Sequence, residues 1–168
     1  MIYTYCPVCG STLAYKQRGG ENLPVCQNSA CSFIFWQNSK PCASVVIPKD
    51  NGQILMTTRA HEPHKGKLDL PGGFLQEGEH PDDGAKREIK EELGVEIEIV
   101  DYLGFAMDQY GQDGDYTLNI GIIARIVSGT PRAADDVADI EWINPRDVGS
   151  SQLAFTNNET FLRQFMAR

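Results

Sequence analysis

The sequence predicts an α/β domain preceded by a small cysteine-rich module, and three observations support this. Four cysteines fall in two close pairs between Cys6 and Cys31. Short apolar runs bounded by turn residues recur from Cys42 onward, and among them Pro81 to Leu93 carries the start and stop signals of a helix. A chain of 168 residues with 41% hydrophobic content buries one substantial core and a small appended module, whereas two large domains do not fit. The character of the sequence changes near Asn38 to Pro41, so the expected division is 1–38 and 39–168.

Cys42 to Ile47 reads as a buried strand, Asp50-Asn51-Gly52 as a hairpin turn and Gln53 to Thr58 as the returning strand. The stretch from His61 to Gly78, rich in Gly, Pro and charge, reads as a loop. Pro81 opens the helix, Asp82 and Asp83 lie in its first turn, and Gly94 falls where a C-terminal cap belongs. Val95 to Leu103 and Tyr116 to Val127 follow as strands around a Gly111–Asp115 turn, and Ile140 to Ile143 as a shorter one. Thr156-Asn157-Asn158-Glu159 has the form of a capping box, opening a last helix with Phe161, Leu162 and Phe165 on one face.

The formal charge of −8 disfavours nucleic-acid phosphates as a partner. The start of the sequence has no basic apolar leader and no run reaches the length of a membrane span, so a soluble protein of the cytoplasm is expected. There, cysteines are thiols or metal ligands rather than a disulfide framework. Cys6, Cys9, Cys26 and Cys31 follow C-x2-C-x16-C-x4-C, in which each pair puts two sulfurs on one ion. Four thiolates close a tetrahedral Zn²⁺ site with no open position, the arrangement of a structural zinc ribbon. Cys42 is left over on an apolar strand and is expected as a buried thiol. Phe33, Phe35 and Trp36, just after Cys31, are expected to pack the ribbon against the domain that follows, with base stacking as the alternative.

Helical spacing gathers Glu88, Glu91 and Glu92 along one side of the predicted helix. Such like charges either stay solvated or hold a cation, and Mg²⁺ favours carboxylates together with substrate phosphates. Leu70-Pro71-Gly72-Gly73 adds a rigid turn and a glycine pair that permits close backbone approach. Glu79 is placed to hold Arg87.

From Gly73 to Val95 the residues read G-x5-E-x7-R-E-I-x-E-E-x-G-V, which matches every fixed position of the Nudix box. The chain therefore resembles the Nudix hydrolases, and more narrowly those with an N-terminal zinc ribbon. The resemblance implies an α/β/α sandwich with a mixed sheet. It implies Mg²⁺ or Mn²⁺ held by Glu88, Glu91 and Glu92 with the Gly72 carbonyl, and an Arg87–Glu79 salt bridge orienting helix and loop. Asp135 or Asp136 corresponds to an acidic loop that supplies a further ligand or base in relatives, although aspartate is one methylene shorter than the glutamate usual there. A solvated loop is the alternative for this pair.

The implied reaction is hydrolysis of a nucleoside diphosphate linked to another moiety, of ADP-ribose, FAD or dinucleotide type. The alternatives are a nucleoside triphosphate pyrophosphatase that removes damaged nucleotides, or a non-catalytic nucleotide sensor. No S-Q-P-W-P-F-P-x-S string follows Val95, so the element of the specialised NADH enzymes is absent. Arg59, Lys65 and Lys67 are candidate phosphate contacts, Tyr110 is a candidate base-stacking residue, and His61 and His64 are basic groups of undefined geometry. The partner expected is a small-molecule nucleotide, and a homodimer, the state of many dinucleotide-cleaving relatives, is left open.

Overall fold

A computed structural model describes residues 3–168. The chain divides into two compact units, residues 1–38 and 39–168. In the first, β1 (Leu13–Arg18) and β2 (Glu21–Cys26) form an antiparallel hairpin. Its small core is Cys6, Leu13 and Cys26, with Cys31 and Phe33 packed against them. Phe35 meets Tyr3 edge-on at 4.9 Å, while Trp36 is exposed. So small a core cannot hold a unit of this size alone, which makes the sulfur cluster described below central to it.

The second unit contains β3 (Lys40–Val46), β4 (Ile54–Arg59), β5 (Leu68–Asp69), α1 (Pro81–Leu93), β6 (Glu96–Gln109), β7 (Tyr116–Ser128), β8 (Val137–Ile143) and α2 (Thr156–Met166). One sheet runs β3-β7-β6, with β3 parallel and β6 antiparallel to β7. The other runs β5-β4-β8 and is antiparallel throughout. Alternation along β3 decides which face meets which helix. Ala43, Val45 and Ile47 join Ala85, Ile89 and Leu93 of α1 in one core, whereas Val46 joins Phe161 and Leu162 of α2 in the other. The strands thus lie between the two helices as an α/β/α sandwich with a mixed sheet.

Three expectations need correction. The turn at Asp50–Gly52 forms, but β3 and β4 pair only at its base, through Pro48 and Ile54, and then separate into different sheets. The stretch expected as loop contains the short strand β5, which pairs with the end of β4. The capping box of α2 does not form: the N-cap is Phe155, and Thr156 is already helical. Asp108 of β6 supplies the cap instead, its Oδ2 accepting from the Asn157 N–H at 2.8 Å and from Thr156 Oγ1 at 3.0 Å. Glu159 is engaged by Arg163 one turn on.

Helix α1 is capped locally. His80 Nδ1 accepts from the Asp82 N–H at 3.3 Å, Pro81 fills the first turn, and Gly94 (φ 68°) donates its N–H to the Lys90 carbonyl. No helix among the described residues is long and apolar enough to cross a membrane.

Candidate functional site

The C-terminal half of α1 faces a cleft of about 780 Å³, counting the open solvent at its mouth. Gly72, Glu88 and Glu92 line it, together with Asp135 and Asp136 from the loop before β8. That loop is tied to the helix end: the Arg132 N–H donates to the Leu93 carbonyl at 3.1 Å and Ala134 N–H to that of Glu92 at 2.9 Å.

Glu92 is the most confined of the three helix acids, at 6% exposure. Its Oε2 accepts from the Gly72 N–H at 2.9 Å. Burial pushes its carboxyl well above the usual range; the Gly72 N–H opposes this, while Asp136, Glu88 and Asp69 push it further. Glu88 is raised for the same first reason, partly offset by Arg87, with Glu91 and Asp136 adding to the rise.

The two glycines have separate steric reasons. A Cβ on Gly72 (φ 135°) would lie 2.2 Å from the Ala43 carbonyl oxygen, and one on Gly73 would lie 2.6 Å from the Glu88 carboxyl carbon. Side chains at either position would therefore push the loop off β3 or fill the space around the Glu88 carboxylate.

Arg87 ties loop to helix. It donates to Glu79 Oε1 at 2.8 Å and Oε2 at 2.9 Å, to Glu88 at 2.8 Å, to Glu91 at 3.1 Å and to the Phe74 carbonyl at 3.1 Å. The fork holds Glu79 down at about 2, helped by the Gln76 N–H. Glu91, half exposed, lies on the Arg87 side and does not line the cleft.

Of the candidate substrate contacts, Arg59 and Tyr110 line the cleft and Lys65 and Lys67 do not. Lys67 donates to the Ser151 carbonyl, and Lys65 is exposed. Arg59 is paired with Asp69 at 2.9 Å and also donates to the Pro63 carbonyl and to the Tyr110 hydroxyl. Its guanidinium lies 5.1 Å from the Phe155 ring centre. His64 meets Phe155 edge-on, and neither His61 nor His64 lines the cleft. Cys42 is buried in the cleft wall; burial, with Glu88 and Asp69 nearby, pushes its thiol to about 12, so it remains a neutral thiol.

The sequence alone missed Ser44, Asp69, Phe74, Asp108, Thr117, Asn119, Phe155 and Asn157, all of which line the cleft. Thr117 and Asn119 did carry a signal, as polar residues alternating into an otherwise apolar strand.

The lining carries acids from α1, β5, β6 and the loop before β8, against one cation, Arg59, that Asp69 already neutralises. Glu88 has Arg87 as a partner at 2.8 Å, but the buried Glu92 has no cation partner among the described residues, and a buried charge without a counter-charge is costly, by on the order of several kcal/mol. An all-oxygen donor set of carboxylates suits Mg²⁺ or Mn²⁺, so the residues present fit a divalent cation.

In the first unit the sulfurs of Cys6, Cys9, Cys26 and Cys31 all lie within 4.8 Å of one another. The pairs Cys6–Cys31 and Cys9–Cys26 stand at 3.8 and 3.4 Å. A Zn–S bond of roughly 2.3 Å gives a tetrahedron with edges of roughly 3.8 Å, so this cluster fits zinc. The knuckle is shaped by Gly10 (φ 72°), whose N–H donates to the Cys6 carbonyl at 2.9 Å.

Comparison with known proteins agrees with this geometry. Residues 38–167 match the family model described as the NUDIX domain. An ADP-ribose pyrophosphatase of Methanocaldococcus jannaschii is 31% identical over 121 residues, covering 72% of this chain and 69% of that protein. The NAD-capped RNA hydrolase NudC of Vibrio atlanticus is 31% identical over 101 residues, which is 60% of this chain but only 35% of that longer protein. A NUDIX hydrolase crystal structure from Nitrosomonas europaea superposes over 98% of this chain and 91% of its own with TM-score 0.80, at 22% identity, which speaks for the fold. The complete box from Gly73 to Val95, the sandwich that carries it and a family match across the second unit together make this chain a member of the NUDIX family of hydrolases.

Proposed function

We propose that the protein is a divalent-metal-dependent pyrophosphohydrolase that cleaves the diphosphate of a nucleoside diphosphate linked to another moiety, of ADP-ribose, FAD or dinucleotide type. One observation carries the reading: Glu88, Glu92 and Asp136 line one cleft, and the buried Glu92 among them has no cation partner among the described residues. Similarity to an ADP-ribose pyrophosphatase supports the substrate class.

In this reading Glu88, Glu92 and the Gly72 carbonyl hold Mg²⁺ or Mn²⁺ and Asp136 adds charge beside them, while Glu91, expected as a third helix ligand, is engaged by Arg87 outside the cleft. Bound divalent cations neutralise the phosphate oxygens and make the attacking water more acidic. Glu88 or Glu92 receives that water's proton, since both carboxylates line the cleft. Arg87, fixed by Glu79, keeps the loop from Gly73 to Glu79 at its distance from α1. Arg59 and Tyr110 border the substrate from the opposite wall. The four-cysteine cluster holds Zn²⁺ as a structural element of the first unit.

Incubation of the full chain with Mg²⁺ or Mn²⁺ and a panel of ADP-ribose, FAD, NADH, diadenosine polyphosphates and nucleoside triphosphates tests the reading. The expected product is AMP released from ADP-ribose, FAD or a dinucleotide only when metal is present. Pyrophosphate released from a triphosphate instead would make the enzyme a sanitising one, and silence across the panel would overturn the proposal.

A further inference from the structure

The floor of the cleft is polar where a core is normally apolar. On β7, Thr117 (4% exposed) and Asn119 (5%) precede the buried Ile120, Ile122, Ile123 and Ala124. Alternation puts both on one face, with Gly121, against which Phe161 of α2 packs, so this face is turned away from α1. The register partners of Asn119 and Gly121 on β3 are Cys42 and Ser44, so Ser44 shares this face. Asn157 reaches it from α2, its Nδ2 donating to Ser44 Oγ at 3.3 Å. Ser44, Thr117, Asn119 and Asn157 are all buried and all line the cleft.

These groups do not satisfy one another. Asn119 Nδ2 donates to Thr117 Oγ1 at 2.9 Å and to the Ala106 carbonyl at 3.4 Å. A backbone carbonyl only accepts, so the orientation of this carboxamide is fixed and its Oδ1 is left as an acceptor. No partner for that oxygen exists among the described residues. Asn157 Oδ1 has no partner either but is sealed inside the protein, so the part of Asn157 in this floor is to hold the Ser44 hydroxyl. Asp108, next to them, is not short of donors, because its carboxylate takes the Gln109 N–H and the two groups that cap α2.

Asn119 Oδ1 is thus an acceptor without a protein partner in the floor of the cleft, fixed in direction and free to take a donor from a ligand. The walls indicate its shape: Phe74, Tyr110 and Phe155 line the same cleft, Phe74 edge-on to Tyr110 at 5.3 Å and Tyr110 stacked on Phe155 at 5.6 Å. Flat apolar walls over a floor of neutral acceptors and hydroxyls fit a planar heterocycle bearing an amino group.

We propose that Asn119 Oδ1 accepts from the exocyclic amino group of the substrate's adenine, with the Thr117 and Ser44 hydroxyls serving its ring nitrogens and Asn157 positioning Ser44. This rests on the pyrophosphohydrolase reading and names the base that such an enzyme selects. Hypoxanthine has a carbonyl oxygen in place of the amino group and sets acceptor against acceptor.

Adenosine and inosine, both uncharged, separate the subsite from the metal and the phosphates. The full chain, with no divalent cation added, is titrated with each by NMR. The expected result is that the Asn119 and Asn157 side-chain amide signals shift with adenosine, and that adenosine binds at least about tenfold tighter than inosine, the worth of one well-placed hydrogen bond. In Asn119→Ala this ratio falls towards one. Equal affinities in the wild type, or no binding of adenosine up to about 10 mM, overturn the proposal whether or not a variant folds. Adenosine binding at this floor in a protein that cleaves no diphosphate would sink the enzyme reading and leave the subsite. Equal cleavage of ADP-ribose and its hypoxanthine analogue would do the reverse.

Discussion

Glu92 is the most confined acid of α1, at 6% exposure. A carboxylate this confined, with Asp136, Glu88 and Asp69 all raising it, costs stability, and under the proposed function that cost is offset by the cation it holds. Glu92→Gln keeps the shape and an acceptor for the Gly72 N–H while removing the charge. We expect turnover to fall at least about a hundredfold, as for loss of a metal ligand or its support, with a melting temperature equal to or above wild type. Rates and melts on the same preparation check both parts, and a fully active variant would overturn the assignment. Glu79 behaves in the opposite sense. Its folded value of about 2 lies below the ordinary 4.5, lowered first by Arg87. A depressed carboxylate contributes stability that is complete above the unfolded value and is lost as pH falls through the folded one. The stability gap between wild type and Glu79→Gln should therefore be constant above about pH 5 and close progressively between about pH 4.5 and 2. Denaturant melts across that range measure it, and a gap that widened on acidification would contradict the bridge.

At the scale of elements, α1 and α2 were not equally legible. The signals for α1 are all local: Pro81, the acids of the first turn and Gly94 lie within the helix or next to it, and the helix runs from Pro81 to Leu93 as expected. The cap of α2 is not local. Thr156 and Glu159 have the capping-box spacing, yet Asp108 sits opposite the helix start and offers a charged acceptor to the same orphan N–H groups. A carboxylate at a helix N-terminus also gains from the macrodipole, which the Thr156 hydroxyl does not. Asp108→Ala should therefore destabilise the protein by about 1–2 kcal/mol, whereas Glu159→Ala should stay within about 0.5 kcal/mol. Thermal or urea melts of the two variants decide; a larger loss at Glu159 would restore the capping box. The hairpin expected between β3 and β4 is limited in the same way. The turn sequence fixes the reversal at Gly52, but not how far the two strands stay paired beyond it.

On the scale of the molecule, the two units are stabilised differently. The second has two apolar cores between its strands and helices, and the core cluster of the first has three buried residues, two of them cysteines. Under the proposed function metal therefore matters to the fold of one and to the chemistry of the other. We expect the purified protein to carry one Zn²⁺ per chain by elemental analysis. Its removal by a chelator should collapse the NMR signals of residues 3–38 while those of the α1 and β7 core persist. Cys6→Ser should reproduce that loss. A zinc-free protein with an ordered β1–β2 hairpin would refute the assignment.

The sequence by itself determined what depends on spacing along the chain. The nine fixed positions of the box, the helix that displays them and the four-cysteine pattern are all patterns within 26 residues or fewer, where the geometry of a turn or a knuckle translates spacing directly into proximity. Tertiary structure decided the rest of the cleft. Asp69, Asp108, Asn119, Phe155 and Asn157 come from four separate elements and a linker, and they meet only because β3 pairs in parallel with the distant β7 and α2 closes over that face. Polar residues in a strand show that something is unusual there, but which acceptor is left without a partner depends on neighbours that only the packed chain supplies.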